Sequence, residues 1–447
     1  MTRSVVIFED HTLENFHPVA LSTPVYEIRR GMFNLRERVE LVLKDLKIDP
    51  SFGSLLGRDI LSPLHNCDQW AINPRTLISP ESEKGRFLWL NGRSIPDFSN
   101  LSALLKGTSG KDGFLCFDDL GLVAADLNRE ESLKLLNSWH QWMQQRSDRI
   151  NDPTPWNTQD LLDKTSSSQG QKMKALAYIW DIVPATADLL KNDVEYLKEG
   201  RSFYRNPFGL FPASDNPNPF WLQESSLKER GDNLWLAPNV QLSDSVAIET
   251  SNGPVILDRG VKVMPFCYLE GPLYVGPGSI IKAGAAIYGE SSFGIGNRLA
   301  GEIGESTFGD FSNKQHDGFI GHAVLGSWTN LGAMTTCSDL KNNYGNVRVD
   351  LGTGPRDTGL RFVGLMMGDH VKTAIGTLFN TGTCVGFASN VFGGEMPPKY
   401  IRNYSWGGLS DSPSYDVGKA IETAAIVMSR RGCRLTGEGK KLMRNLG

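Results

Sequence analysis

Residues 257–293 read LDRGVKVMPFCYLEGPLYVGPGSIIKAGAAIYGESSF, and within them Leu257, Val263, Leu269, Val275, Ile281, Ile287 and Phe293 recur at an unbroken step of six. In a chain that is 40% hydrophobic, seven apolar hits in one frame arise by chance roughly twice in a thousand. The step returns at Phe319, Leu325, Leu331 and Cys337, and again at Phe379, Val385 and Val391, with breaks near 296–318 and 338–370. Six is neither the helical nor the strand period. It fits a chain that turns a corner every six residues and sends one apolar side chain per flat face into a shared interior, with glycines at tight corners. A β-sandwich would instead alternate with period two in short blocks. The prediction is a parallel β-helix of hexapeptide repeats, three to a triangular coil.

Composition marks where this solenoid begins. Residues 251–410 hold 29 of the 47 glycines. Just before the periodic region, RNPFGLFPASDNPNPFW (205–221) spreads Pro207, Pro212, Pro217 and Pro219 among Asn, Asp and Ser, which supports neither helix nor ladder. The expected organisation is an α/β domain over 1–204, a linker over 205–233, the β-helix over 234–405 and a helical tail over 406–447. In the first domain SVVIF (4–8) and GRFLWLNG (85–92) read as strands and GFLCFDDLGLVAADL (113–127) as a hairpin. The stretches 33–46, 133–145 and 173–197 carry helical spacing, so a mostly parallel sheet with packed helices is expected. In the tail, VGKAIETAAIVMSRR (417–431) has a cap before it and a stop at Gly432. Its basic residues Arg430, Arg431, Arg434, Lys440 and Lys441 suit either a phosphate or a cover for the open solenoid end.

Forty-six Lys and Arg against 50 Asp and Glu give a net charge of -4, which supplies no footprint for a nucleic-acid backbone. The N-terminus lacks a signal-peptide apolar core and no apolar run reaches membrane-spanning length, so a cytoplasmic protein with no membrane partner is expected. Cys67, Cys116, Cys267, Cys337, Cys384 and Cys433 form no C-x-x-C pair and read as buried small hydrophobes.

Chemistry is expected where the period breaks. The stretch 296–345 concentrates Glu302, Lys314, His316, Asp317, His322, Asn330, Asp339, Lys341, Asn342 and Asn343. His316 and Asn330 lie near coil corners at a separation close to one coil, which would bring them into one pocket. A histidine there suits removal of a proton from an attacking amine or hydroxyl, or simply a hydrogen bond within a turn.

On these residues the chain resembles a known family. Residues 234–405 resemble the left-handed β-helix acetyltransferase domain of the bifunctional N-acetylglucosamine-1-phosphate uridyltransferase/glucosamine-1-phosphate N-acetyltransferase family. SNKQHDGFIGHAVLGSWTNLGAMTTCSDLKNNYG (312–345) is closest to its divergent branch of sugar nucleotidyltransferases. The family's G-H-x-x-Y-[LI]-G segment corresponds to Gln315–Gly321, which implies that His316 is the general base, with Phe319 in place of a substrate-contacting Tyr. The N-[IL]-G-A-G-T segment corresponds to Asn330–Thr335 and implies a sugar contact for Asn330. Glu302, Lys314, Asn343 and Tyr344 are implied at the acceptor site. GDHVKTAIGTLFNTGTCVG (368–386) resembles the coil lining the acetyl-CoA groove, with Ala374, Thr377 and Asn380 as candidate contacts.

The N-terminal domain resembles sugar-1-phosphate nucleotidyltransferases more distantly. Their Gly-rich phosphate loop is replaced by EDHTLENFHPVALSTPVYEIRRG (9–31), leaving Arg29, Arg30 and Arg36 as candidates for phosphate contacts, or as a solvated basic helix face. The strand that ends N-G-D in the family, with a magnesium-binding Asp, ends here in Asn91-Gly92-Arg93. An Arg cannot ligate a metal, and Asp10 and Asp97 are the remaining candidates. The resemblance implies an acetyl-CoA-dependent N-acetyltransferase acting on an amino sugar phosphate, with magnesium and a nucleoside triphosphate if the first domain is active. The alternatives are a sugar-1-phosphate nucleotidyltransferase with a non-catalytic β-helix, and a nucleotide-sugar-binding scaffold. About nine coils leave faces that loops cannot cover, so a homotrimer with sites between subunits is expected.

Overall fold

The computed structural model describes residues 3–49, 53–65, 70, 85–107, 113–146, 155–158, 173–198, 200–205, 207–213 and 219–447. The chain divides into two compact units, the first made of 1–16, 23–28 and 34–177 and the second of 17–22, 29–33 and 178–447.

The first unit is an α/β layer. Ser4–Phe8 pairs in parallel with Gly53–Leu56 on one side and Phe87–Asn91 on the other. Gly121–Leu127 then adds antiparallel to Phe87–Asn91 and forms the expected hairpin with Phe114–Asp118. The short strand Gly53–Leu56 was not among the strands expected from sequence; its four residues carry no alternation because all are buried. Helix Leu35–Asp45 starts on an Asn34 cap whose side chain accepts from Glu37 N. Helix Arg129–Arg146 buries Leu135, Leu136, Trp139 and Trp142 against Phe8 and Trp89.

The second unit is a parallel β-helix with three faces. Face A runs from Gln241–Leu242 through Arg298–Leu299, Asn313–Lys314, Asn330–Leu331 and Lys372–Thr373 to Asn390–Val391. Face B runs from Ala247–Glu249 through Glu302–Gly304, Phe319–Gly321 and Thr336–Cys337 to Leu378–Phe379. Face C runs from Leu234–Leu236 through Leu273–Val275, Ser291–Phe293 and Val324–Leu325 to Tyr400–Ile401. All seven apolar positions of the quoted stretch lie in its buried interior. Each contributes about 1.5–3 kcal/mol as it leaves water.

The expected break at 296–318 is not a loop. The coils continue there with shorter turns: Leu299 pairs with Lys314, Ile303 with Ile320 and Phe308 with Leu325. Coils of 15 and 17 residues shift the apolar frame, so Ile320 faces the interior and Phe319, which the six-step assigned there, faces out. The second break does hold an insertion, which carries the antiparallel hairpin Arg348–Asp350/Pro355–Asp357.

Face C is covered by the chain itself. Its outward residues Ile256, Tyr274, Ser292 and Val324 are buried, with helix Ile182–Leu197 packed over the central strands and Ser292 Oγ donating to Gly31 O at 2.6 Å. The cover here includes a helix, where loops alone were expected to cover the faces only in part. The segment 205–233, expected as a linker, is also partly packed: Leu210 and Trp221 are buried with Phe311, Trp328 and Met428. The tail forms helices Val417–Ser429, capped by Asp416, and Gly437–Leu446. Cys116, Cys267, Cys337, Cys384 and Cys433 are buried free thiols; Cys67 lies outside the described residues. No helix among the described residues is long and apolar enough to cross a membrane.

Candidate functional site

The short coils place their side chains differently from an even 18-residue repeat. His316 sits exposed at the corner between faces A and B. Its carbonyl packs so closely on Gly301 that a Cβ there would lie 2.9 Å from it. No hydrogen bond of its ring is formed among the described residues. Asn330 does not share its pocket. Asn330 stacks on Asn313, on face A, and Lys372 follows it in the same column. The coil holding His316 is 17 residues long, so Asp317 bonds Met334, and the position over His316 falls to Ala333.

Lys314, expected at the acceptor site, is fully buried in the interior stack between Leu299 and Leu331. Its ammonium donates to the carbonyls of Ala300, at 3.3 Å, and His316, and burial pushes its pKa down to about 8. A side chain inside the solenoid cannot meet a substrate outside it. Glu302 does face out from face B, in register with Phe319. Asn343 and Tyr344 lie exposed on the insertion, where Asn343 Oδ1 accepts from Gly345 N at 3.1 Å. Ala374 and Asn380 are exposed and Thr377 is buried, its hydroxyl donating to Ala374 O at 2.9 Å.

Beyond Phe319, at the corner between faces B and C, lies a group the even spacing did not bring together. His322 and Asp339 are one 17-residue coil apart, and His322 Nδ1 donates to Asp339 Oδ2 at 2.8 Å. Glu305 Oε2 stands 3.9 Å from the same nitrogen. Burial raises the Glu305 carboxyl above its ordinary range, Asp339 adds to the rise, and the nearby His322 opposes it. Phe362, returning from the insertion, stacks on the His322 ring with centroids 5.0 Å apart. Val363 N bonds Asp339 O at 2.9 Å and ties that return down. Gly321 makes room for the group, since a Cβ there would lie 2.5 Å from both Asp339 Oδ2 and the Phe319 ring.

The arginines of the second proposed site are engaged elsewhere. Within the second unit Arg29 donates to Met32 O at 2.7 Å and pairs with Asp310 at 3.3 Å, while Arg30 is buried. Arg36 is not a solvated face residue but a buried partner of Glu27. Arg93 is buried and bonds Asp118 through both terminal nitrogens, at 2.5 and 2.6 Å. Asp10 accepts from Thr12 and Asn91, and Asp97 caps helix Phe98–Lys106. Arg93 does not fit the magnesium site that the resemblance implies at that position, and among the described residues no group of three or more His, Cys, Asp or Glu could hold a metal ion.

Residues 5–202 match the sugar nucleotidyl transferase family. Over 172 residues the chain is 27% identical to a bifunctional sugar-1-phosphate nucleotidylyltransferase/acetyltransferase of Sulfurisphaera tokodaii, covering 37% of this chain. The match spans 41% of that relative's length. Solved structures with similar segments include AntD, an N-acyltransferase from Bacillus cereus, in complex with dTDP and either coenzyme A or 3-hydroxybutyryl-CoA. Those two are 14% and 13% identical, cover 44% of this chain and 89% and 88% of theirs, and have TM-scores of 0.18 and 0.17.

Proposed function

We propose that the β-helix transfers an acetyl group from acetyl-CoA to the amine of an amino sugar phosphate, and that the N-terminal unit is a divergent relative of sugar-1-phosphate nucleotidyltransferases. The observation that carries this reading is the outward side of face B, where Glu302 and Phe319 lie side by side with a histidine at each flanking corner. A planar ring offers a sugar its apolar face and the carboxylate accepts from hydroxyl or ammonium groups. The resemblance gives the role of base to His316. Phe319 lacks a phenolic hydroxyl, which favours an acceptor that does not need that hydrogen bond. The full-length protein is expected to release coenzyme A from acetyl-CoA with glucosamine 1-phosphate and not with its N-acetylated form, followed by a thiol-reactive dye. Absence of release across a panel of amino sugar phosphates overturns the reading.

A second reading, sugar-1-phosphate nucleotidyl transfer, is favoured by the family match over 5–202. The engaged Arg93 counts against a form of it that needs a metal-binding carboxylate at that position.

The surface supports a reading of the assembly. Phe266, Met334 and Ile375, at 77%, 54% and 79% exposure, mark the corner between faces A and B, beside Leu378 on face B. Exposed apolar side chains along one edge are candidates for burial against another copy. With face C covered, we propose a cyclic homotrimer joined along this edge, the acetyl-CoA groove running past Ala374, Thr377 and Asn380. Light scattering is expected to return three times the chain mass, and Ile375→Glu with Met334→Glu to return a monomer. A monomeric wild type overturns the trimer.

A further inference from the structure

We infer that the outward side of face A, from Arg298 to Lys372, is a binding site for a phosphoryl group, with Arg431 of the tail as its third cation. Only the source of that group, the acceptor's phosphate or a phosphate of the acyl donor, rests on the proposed acyl transfer. An amino sugar phosphate brings an anion that needs cations, and the outward column of face B, Ala286, Glu302, Phe319 and Thr336, offers none. The neighbouring face supplies them. Arg298, Asn313, Asn330, Lys372 and Asn390 stack in register as the outward residues of successive coils, about 4.8 Å apart. Arg431 Nη2 reaches this column from the tail and donates to Asn313 Oδ1 at 2.8 Å. Lys372 lies two rungs above Asn313, roughly 10 Å along the column, with the exposed Asn330 between them. An arginine fork from one side and a lysine point charge from the other suit the oxygens of a phosphoryl group, and the Asn330 amide adds a donor.

No carboxylate neutralises these cations. Arg298, Arg431 and Lys372 are half-buried, and none of them forms an ion pair among the described residues. Lys372 Nζ donates to His370 O at 2.9 Å, and one terminal nitrogen of Arg298 is turned to the carbonyls of Gly278, Gly296 and Asn297. Burial pushes Lys372 down to about 8. Burial and the adjacent Arg431 charge push Arg298 down to about 10, and burial and Arg430 lower Arg431. Asn390 Nδ2, on the next rung, is buried with no hydrogen-bond partner among the described residues. Crowded cations and an unpaired buried donor each carry a free-energy penalty that a bound anion offsets. The column also borders the groups of the proposed acyl transfer: Asn313 precedes His316 by three residues, and Lys372 precedes Ala374 by two.

The test titrates the full-length protein with inorganic pyrophosphate by calorimetry at low salt. Lys372→Met and Arg431→Gln are each expected to weaken binding about 10–100-fold. Lys262→Met, which removes a charge lower in the same column, is expected to leave it unchanged. Asn330→Asp places a carboxylate between the cations and is expected to abolish binding. Urea titration separates this from a damaged fold: Lys372→Met and Asn330→Asp both relieve the crowding, so each is expected to be at least as stable as wild type at pH 7.5 while binding less. A Lys372→Met protein that loses stability and binding together shows a structural role and overturns the site. So does a wild type that binds no pyrophosphate, or binding that survives Lys372→Met and Arg431→Gln or falls as far in Lys262→Met.

Steady-state coenzyme A release then distinguishes the two sources. If the acceptor supplies the phosphate, Lys372→Met raises the KM for the amino sugar phosphate and leaves that for acetyl-CoA unchanged; if the acyl donor supplies it, the pattern reverses. Unchanged values for both overturn the link to acyl transfer. A protein that binds pyrophosphate through these residues and releases no coenzyme A with any acceptor overturns the acyl-transfer reading and leaves the anion site standing.

Discussion

Glu27→Gln is expected to destabilise the first unit by about 3–5 kcal/mol, a large part of a domain's typical stability. Glu27 is buried and receives Arg36 Nε at 2.5 Å and Asn34 Nδ2 at 2.8 Å, with His65 Nδ1 at 3.4 Å. Arg36 also reaches Glu40 at 2.7 Å. Burial alone would raise the Glu27 pKa, but the Arg36 charge and the bonds from His65 and Arg36 overcome it and bring it down to about 2. The amide isostere keeps the shape and removes the charge, leaving the buried Arg36 guanidinium without the carboxylate it meets at 2.5 Å. The same network sets an acid limit. The unfolded carboxyl titrates near 4.5 and the folded one near 2, so its contribution is complete above about pH 4.5 and is lost as pH falls through 2. Urea titrations of wild type and variant are expected to differ most near neutral pH and to converge toward pH 2. Equal midpoints at pH 7 would show that the pair contributes nothing net. The double variant Glu27→Gln/Arg36→Met is expected to recover part of the loss, because the buried guanidinium is removed together with its Glu27 partner.

The solenoid was legible because its interior repeats one simple demand. Each face admits one inward side chain, so Leu257 through Phe293 must be apolar at every sixth position, and nothing else in the chain competes with that pattern. The site was less legible because the same rule fails where the coils shorten. Counting in sixes puts Phe319 inside, Lys314 outside and Asn330 beside His316; coils of 15 and 17 residues reverse the first two and separate the third. The pairing of His322 with Asp339 was hidden for the same reason, since the two are 17 residues apart. A sequence signal for it did exist: Gly304 to Gly321 and Ile303 to Ile320 repeat at 17. In the first unit the strands other than Gly53–Leu56 followed from their apolar runs, whereas the roles of Arg36 and Arg93 there, and of Arg29 and Arg30 in the second unit, did not. A buried ion pair and a phosphate cradle draw on the same residue, and only the partner's location distinguishes them.

Lys314 gives the second large expected effect, and its sign is unusual. A lysine in the interior of the β-helix loses hydration, and two backbone carbonyls replace only part of it. Its pKa falls from 10.5 to about 8. Between these values the unfolded chain holds a proton that the folded chain has released, so stability rises with pH across that interval. Below about pH 8 both states are charged and the full penalty applies, at most about 3 kcal/mol; above about 10.5 both are neutral and it vanishes. The solenoid is therefore expected to resist urea better at pH 10 than at pH 7.5, against the usual alkaline loss. Lys372, lowered to about 8 by burial, acts in the same direction. Lys314→Met isolates the interior residue: it fills nearly the same volume without a charge, so the variant is expected to be more stable than wild type at pH 7.5 and equal to it near pH 10.5. The slope that remains in the variant belongs to Lys372 and the other titrating groups. A variant that is less stable at pH 7.5 would mean that the bonds to Ala300 and His316 outweigh the lost hydration, and that Lys314 closes the short coil through hydrogen bonds that an apolar side chain cannot replace.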